Sequence, residues 1–90
     1  MLISYFATLR GITRKSEEDW PHPAATLRVL LHALVAVYGE GFARWVLPDG
    51  QDTGLAIVLV NGKDMRSLQG LDTPLQPSDH VFIFPPVAGG

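Results

Sequence analysis

The group best placed for covalent chemistry in this sequence is at its end, where FPPVAGG runs from Phe84 to Gly90. If the chain stops at Gly90, as expected here, it presents a free α-carboxylate. Such a group has an ordinary pKa of about 3.3–3.7 and is ionised at neutral pH. An ionised carboxylate is a poor electrophile, so a partner using ATP would have to activate it, most simply as an acyl-adenylate. The activated carbonyl of Gly90 can then accept sulfur, giving a thiocarboxylate, or a lysine amine, giving an isopeptide. The neighbouring residues suit that role. Gly89 has no side chain to clash in a narrow channel, and Pro85-Pro86 favour an extended exit from the domain. Residues 85–90 are therefore read as a flexible tail, with Val87 and Ala88 linking the prolines to the glycines.

No other part of the chain offers a comparable site. His22, His32 and His80 fall in a loop, a helix and a strand edge, without HxH, HxxxH or HExxH spacing, so no metal site is expected. Asn61-Gly62-Lys63 lacks the rest of a phosphate loop and reads as a hairpin turn. Glu17-Glu18-Asp19 reads as a solvated strand or loop. The chain contains no cysteine, which removes disulfides, thiolate catalysis and cysteine-based zinc together. A net charge of −2 with scattered basic residues argues against nucleic acid as a partner. The first residues, MLISYFATLR, lack the basic start of a signal peptide, and no apolar run reaches membrane-spanning length. A soluble cytoplasmic protein that binds no cofactor permanently is expected.

The elements that must position the tail follow from patterning. At 90 residues and 47% hydrophobic content the chain suits one small globular domain, expected over residues 1–84. Leu2–Ala7 reads as a strand with Ile3 and Tyr5 on one face and Leu2, Ser4 and Phe6 on the other. Lys15–Trp20 reads as a second, exposed strand, joined to the first by a loop over Leu9–Thr13. Thr26 is a helix N-cap, Leu27, Leu30, Leu31, Leu34 and Tyr38 form a buried stripe, and Gly39 closes the helix. Residues 40–54 are less regular, with Phe42, Trp45, Val46 and Leu47 available for burial in a short helical turn. Leu55–Val60 reads as a central strand, Asn61-Gly62 as its hairpin turn, and Lys63–Met65 as the returning strand. LQGLDTPLQPSD crosses the end of the sheet. His80–Phe84 is the last strand, with Val81 and Ile83 on one face and Phe82 and Phe84 on the other.

One helix between two groups of strands predicts a two-layer α+β domain. The apolar terminal strands need protection on both edges, and pairing them at the sheet centre supplies it. That arrangement is the β-grasp, or ubiquitin-like, fold, a mixed sheet packed on one main helix. Its uncovered face would carry Phe6, Phe82 and Phe84 beside the root of the tail, as a partner-binding surface.

These segments together resemble the MoaD/ThiS family of ubiquitin-like sulfur carriers, most closely the small subunit of molybdopterin synthase. YFATLRGITRKSEED is similar to the family's first hairpin, ATLRVLLHALVAVYG to its helix, and VNGKDM, LDTPLQPSDHV and FIFPPVAGG to its later half. The Phe-Pro-Pro approach to Gly-Gly is the most specific part. The resemblance implies a non-catalytic carrier subunit. An E1-like adenylyltransferase would adenylate Gly90 with ATP, and a persulfide donor would supply sulfur. The tail, Pro85 to Gly90, would enter the large subunit of molybdopterin synthase to build the dithiolene of the molybdenum or tungsten cofactor. By position Phe6 and Phe84 match the family's hydrophobic docking surface and Arg10 its polar edge. VNGKDMRSLQGLDTPL also resembles archaeal-type members, some of which modify proteins through lysine. A protein modifier, or a carrier for another pathway such as thiamine synthesis, therefore stands as the alternative.

Overall fold

The computed structural model describes residues 1–86. The most regular element is the helix α2, Leu27–Tyr38, and its limits follow from local chemistry. Thr26 is extended, and its hydroxyl accepts a hydrogen bond from the Val29 amide at 3.3 Å. At the other end Gly39 takes φ 84°, a conformation that favours glycine, and donates its N–H to Val35. Leu27, Leu30, Leu31 and Leu34 are all buried. Each such side chain contributes about 1.5–3 kcal/mol on removal from water. These four positions hold the helix on the sheet.

The sheet has five strands: β1 (Leu2–Tyr5), β2 (Glu17–Asp19), β3 (Ile57–Val60), β4 (Lys63–Asp64) and β5 (His80–Phe84). Their spatial order is β2-β1-β5-β3-β4. The two terminal strands pair in parallel at the centre, Leu2 with His80 through Tyr5 with Ile83, as the edge-protection argument required. The other pairings are antiparallel. Ile3, Tyr5, Val58, Val60, Val81 and Ile83 lie buried on the face that meets α2. The β3–β4 turn is Asn61-Gly62, with φ 53° and 86°. Positive φ at both central residues is the hairpin geometry that this dipeptide favours.

Several boundaries differ from the sequence reading. Leu9–Thr13 is not a loop; Thr8–Thr13 forms a short helix, α1, that buries Leu9 and Thr13. Gly11 has open space around it, so it does not prevent this helix, which packs against the segment Glu40–Val46. Arg14, at φ 64°, closes it. The first strand accordingly ends at Tyr5, and the second spans only Glu17–Asp19. Residues Glu40–Val46 form a full helix, α3, with Phe42 and Val46 buried and Leu47 beneath its end; Trp45 stays half-buried. Strand β3 starts at Ile57, because Leu55 projects into solvent at 81% exposure. Met65 leaves β4 for a buried place in a short 3-10 turn, Met65–Ser67; a second follows at Gly70–Asp72. Leu9, Phe42, Val46 and Met65 each gain burial by leaving the regular pattern, whereas Leu55 is left in solvent.

One polar cluster fastens β2 to the rest. Glu18 points to the helix side and accepts hydrogen bonds from the hydroxyls of Tyr5 and Tyr38, with Lys15 Nζ 3.3 Å from its other oxygen. Partial burial alone would raise the Glu18 pKa, but bonds from Tyr38, Tyr5 and Lys15 outweigh it and hold the carboxyl below its ordinary value. Burial, together with the Glu18 carboxylate, pushes the Tyr5 hydroxyl pKa far up, so Tyr5 remains a donor. A carboxyl whose folded pKa lies below its unfolded value of about 4.3 stabilises the fold above that pH, and loses the contribution as pH falls through the folded value. Glu18→Gln should cost about 1–3 kcal/mol at pH 7. Urea denaturation should show this gap closing as pH falls below the unfolded glutamate pKa of about 4.3 and Glu18 takes up its proton in the folded protein.

Candidate functional site

With α2 covering one sheet face, the register determines what the other face carries. Leu59 and Ser4 flank Phe82 on the neighbouring strands, and Ile57 lies opposite Phe84. Phe6 follows β1 directly and turns onto the same face. Its ring stacks on Phe84 with centroids 4.1 Å apart and planes within 10°. The Phe82 ring centroid lies 6.5 Å from that of Phe6, so the three aromatic residues expected to gather there do so. They are half-buried, packed on one another but uncovered from outside.

Arg10, the fourth residue expected at this surface, comes from α1. Its guanidinium carbon lies 5.4 Å from the Phe6 ring centroid, and its Nε donates to the Tyr5 carbonyl at 3.0 Å. The turn that brings α1 here passes through Ala7 at φ 52°, an uncommon conformation for a residue with a β-carbon. Arg10 thus gives the aromatic surface a fixed cationic edge.

Three further residues belong to this face and escaped the sequence reading. His80 stacks on Phe82 at 3.9 Å, and its Nε2 is 2.7 Å from Ser4 Oγ. The signal for it was its position two residues before Phe82 on the same strand. Ile57, 41% exposed, and Leu59 extend the apolar surface across β3. The run of six apolar residues at 55–60 hid their alternation, in which Val58 and Val60 are buried. The remaining histidines stay apart: His22 packs edge-on to Trp20, and His32 Nε2 meets the Gly50 carbonyl at 3.1 Å. Among the described residues no three acidic or histidine side chains gather as a metal site requires.

Strand β5 runs from this surface into the proline pair, of which Pro85 is buried and Pro86 half-buried. Val87, Ala88, Gly89 and Gly90, the expected inserted tail and its reactive end, lie outside the described residues. The aromatic stack therefore sits at the root of that segment. It presents stacked rings, aliphatic flanks and one cation, groups whose chemistry suits contact with an apolar patch bordered by acceptors. Among the described residues no helix is long and apolar enough to cross a membrane.

Comparison with known proteins agrees with this arrangement. The model of the ThiS family matches residues 3–90. Small archaeal modifier protein 3 of Haloferax volcanii is 36% identical over 89 residues, covering 98% of this chain and 96% of that protein. Among solved structures, small archaeal modifier protein 1 from Methanosarcina acetivorans superposes with a TM-score of 0.82 at 29% identity, covering 99% of this chain and 94% of the other. A putative molybdopterin converting factor, subunit 1, from Pyrococcus furiosus gives 0.74 at 30% identity, covering 96% and 95%. The chain belongs to the ThiS family and is a ubiquitin-like protein of the sulfur-carrier and modifier type, with the β-grasp fold.

Proposed function

We propose that this protein is a sulfur carrier that works through a thiocarboxylate at Gly90. An E1-like adenylyltransferase joins the Gly90 carboxylate to AMP and releases pyrophosphate from ATP. Sulfur from a persulfide donor displaces AMP, and a thiol reductant cleaves the S–S bond to leave the thiocarboxylate. The large subunit of molybdopterin synthase then takes the tail; two loaded carriers deliver one sulfur each to the pterin, water returning each Gly90 to its carboxylate, and the resulting dithiolene holds molybdenum or tungsten. The carrier itself supplies docking and delivery, in the cytoplasm.

The observation that carries this reading is the Phe6–Phe84 stack beside Pro85-Pro86. An aromatic anchor at the root of a glycine-ended tail lets a partner grip the domain while the tail reaches a separate active site. Likeness to the Pyrococcus furiosus protein supports the pterin pathway as the destination. A second reading has its own support. The match to small archaeal modifier protein 3 favours transfer of the same activated carbonyl to lysine amines of target proteins.

Both readings share the first step and part at the second. Incubated with the activating enzyme, ATP and a sulfur donor, the protein should show one oxygen-to-sulfur exchange by intact mass. Absence of that exchange, where a control carrier is loaded, would sink the sulfur-carrier proposal. A modifier instead predicts lysine-linked conjugates in cells that disappear when Gly90 is deleted. For the docking surface, Phe84→Ala should weaken binding to the activating enzyme by more than about 1 kcal/mol. It should destabilise the fold less than Ile83→Ala, which removes a fully buried side chain. Calorimetric titration and denaturant melts check the two halves.

A further inference from the structure

Strand β2 is a sheet edge, and its hydrogen bonds show which groups it leaves open. The Trp20 amide donates to the Met1 carbonyl at 2.7 Å, and the Tyr5 amide donates to the Ser16 carbonyl at 2.8 Å. With the register pairing Ile3 with Glu18, the groups of Ser16, Glu18 and Trp20 face β1. In an antiparallel ladder the alternate residues turn the other way. Glu17 and Asp19 therefore direct their N–H and C=O groups outward, and among the described residues no strand lies beyond them. Their side chains are exposed and share the sheet face opposite Glu18.

The edge continues into a preformed groove. Trp20, Pro21, Pro23, Ala25, Leu75 and Pro77 line a depression of about 410 Å³, larger than an aliphatic side chain. Three of these six are prolines, so the walls are stiff. Trp20 is only 7% exposed, and its buried indole Nε1 has no hydrogen-bond acceptor among the described residues. Because β1 and β5 are parallel, Met1 and Asp79 mark one end of the sheet and Phe6 and Phe84 the other. The groove is at the Met1 end, away from the aromatic stack and the root of the tail.

We infer that β2 and this groove form a second docking site, which takes an extended segment of a partner protein as an added antiparallel strand. The added strand pairs its backbone with Glu17 and Asp19. Side chains facing those two carboxylates are Lys or Arg at alternate positions, and the residue preceding them is aliphatic and enters the groove. Charge decides against a second copy of this chain. An antiparallel β2–β2 pair would set acid against acid, and like charges directly opposite are destabilising. The same carboxylates that repel a copy select a basic strand. A partner held here leaves the Phe6–Phe84 surface free for another protein.

The probe is the peptide acetyl-Leu-Val-Lys-Thr-Lys-amide, titrated into the labelled full chain by NMR. The expected result is a shift of the Glu17 and Asp19 amides and the Trp20 indole N–H, with slowed exchange at those two amides. A peptide with Glu in place of both Lys should bind at least about tenfold more weakly. The doubly reversed variant E17K/D19K should invert this preference; Asp19 also pairs with the Met1 ammonium at 3.4 Å, so the variant's dispersed spectrum is the check that it is folded. Equal affinity for both peptides, no binding of the Lys peptide, or shifts confined to Phe82 and Phe84 would each overturn the inference. The readouts do not involve Gly90, so the outcome is independent of the sulfur-carrier proposal.

Discussion

The parallel pairing of β1 with β5 is the constraint on which the rest of the molecule depends. It places the first and last strands side by side, so everything between them must lie to either side of that pair or across its face. The pairing of Leu2 with His80 puts Ile3, Tyr5, Val81 and Ile83 under α2 and turns Ser4, His80, Phe82 and Phe84 outward. A slip of one residue would exchange the two sets, and the helix would then meet phenylalanines while Val81 and Ile83 faced water. A single main helix covers only one face. The aromatic surface is thus a consequence of the core as much as a feature added to it.

The same pairing separates the ends of the sheet. One end carries Phe6, Phe84, Arg10 and the proline pair; the other carries Met1, Trp20 and the proline-lined groove. Strand β2 is short and would fray from β1 on backbone bonds alone. Glu18 prevents this by reaching the hydroxyls of Tyr5 on β1 and Tyr38 on α2. A run that looks solvated in sequence, KSEED, therefore divides by alternation. Its middle glutamate is structural, while Glu17 and Asp19 face outward.

Much of this architecture was legible in the residues. Helix α2, its Thr26 cap and Gly39 stop, the Asn61-Gly62 hairpin and the terminal strands each have strong local signals. The gathering of Phe6, Phe82 and Phe84 followed from alternation once the terminal strands were paired. Helix α1 was not legible, because one and a half turns around Gly11 carry little periodicity of their own. Its helical form depends on burying Leu9 and Thr13 against the domain. The outward roles of Ile57 and Leu59 were hidden in an unbroken apolar run, which looks the same whether one face or both are covered.

By itself, the sequence determined the elements whose reasons are local: capping hydroxyls, glycines at positive φ, and the period of apolar residues. It also determined that two apolar strands stand at its ends. The tertiary structure decided what contact between distant residues decides. The stack of Phe6 on Phe84, Arg10 over that stack, His80 held by Ser4, and Glu18 between two tyrosines each join side chains from separate elements. Their geometry depends on strand register and on the angle at which helices cross the sheet. Those quantities arise from packing the whole core, and no short stretch of residues contains them.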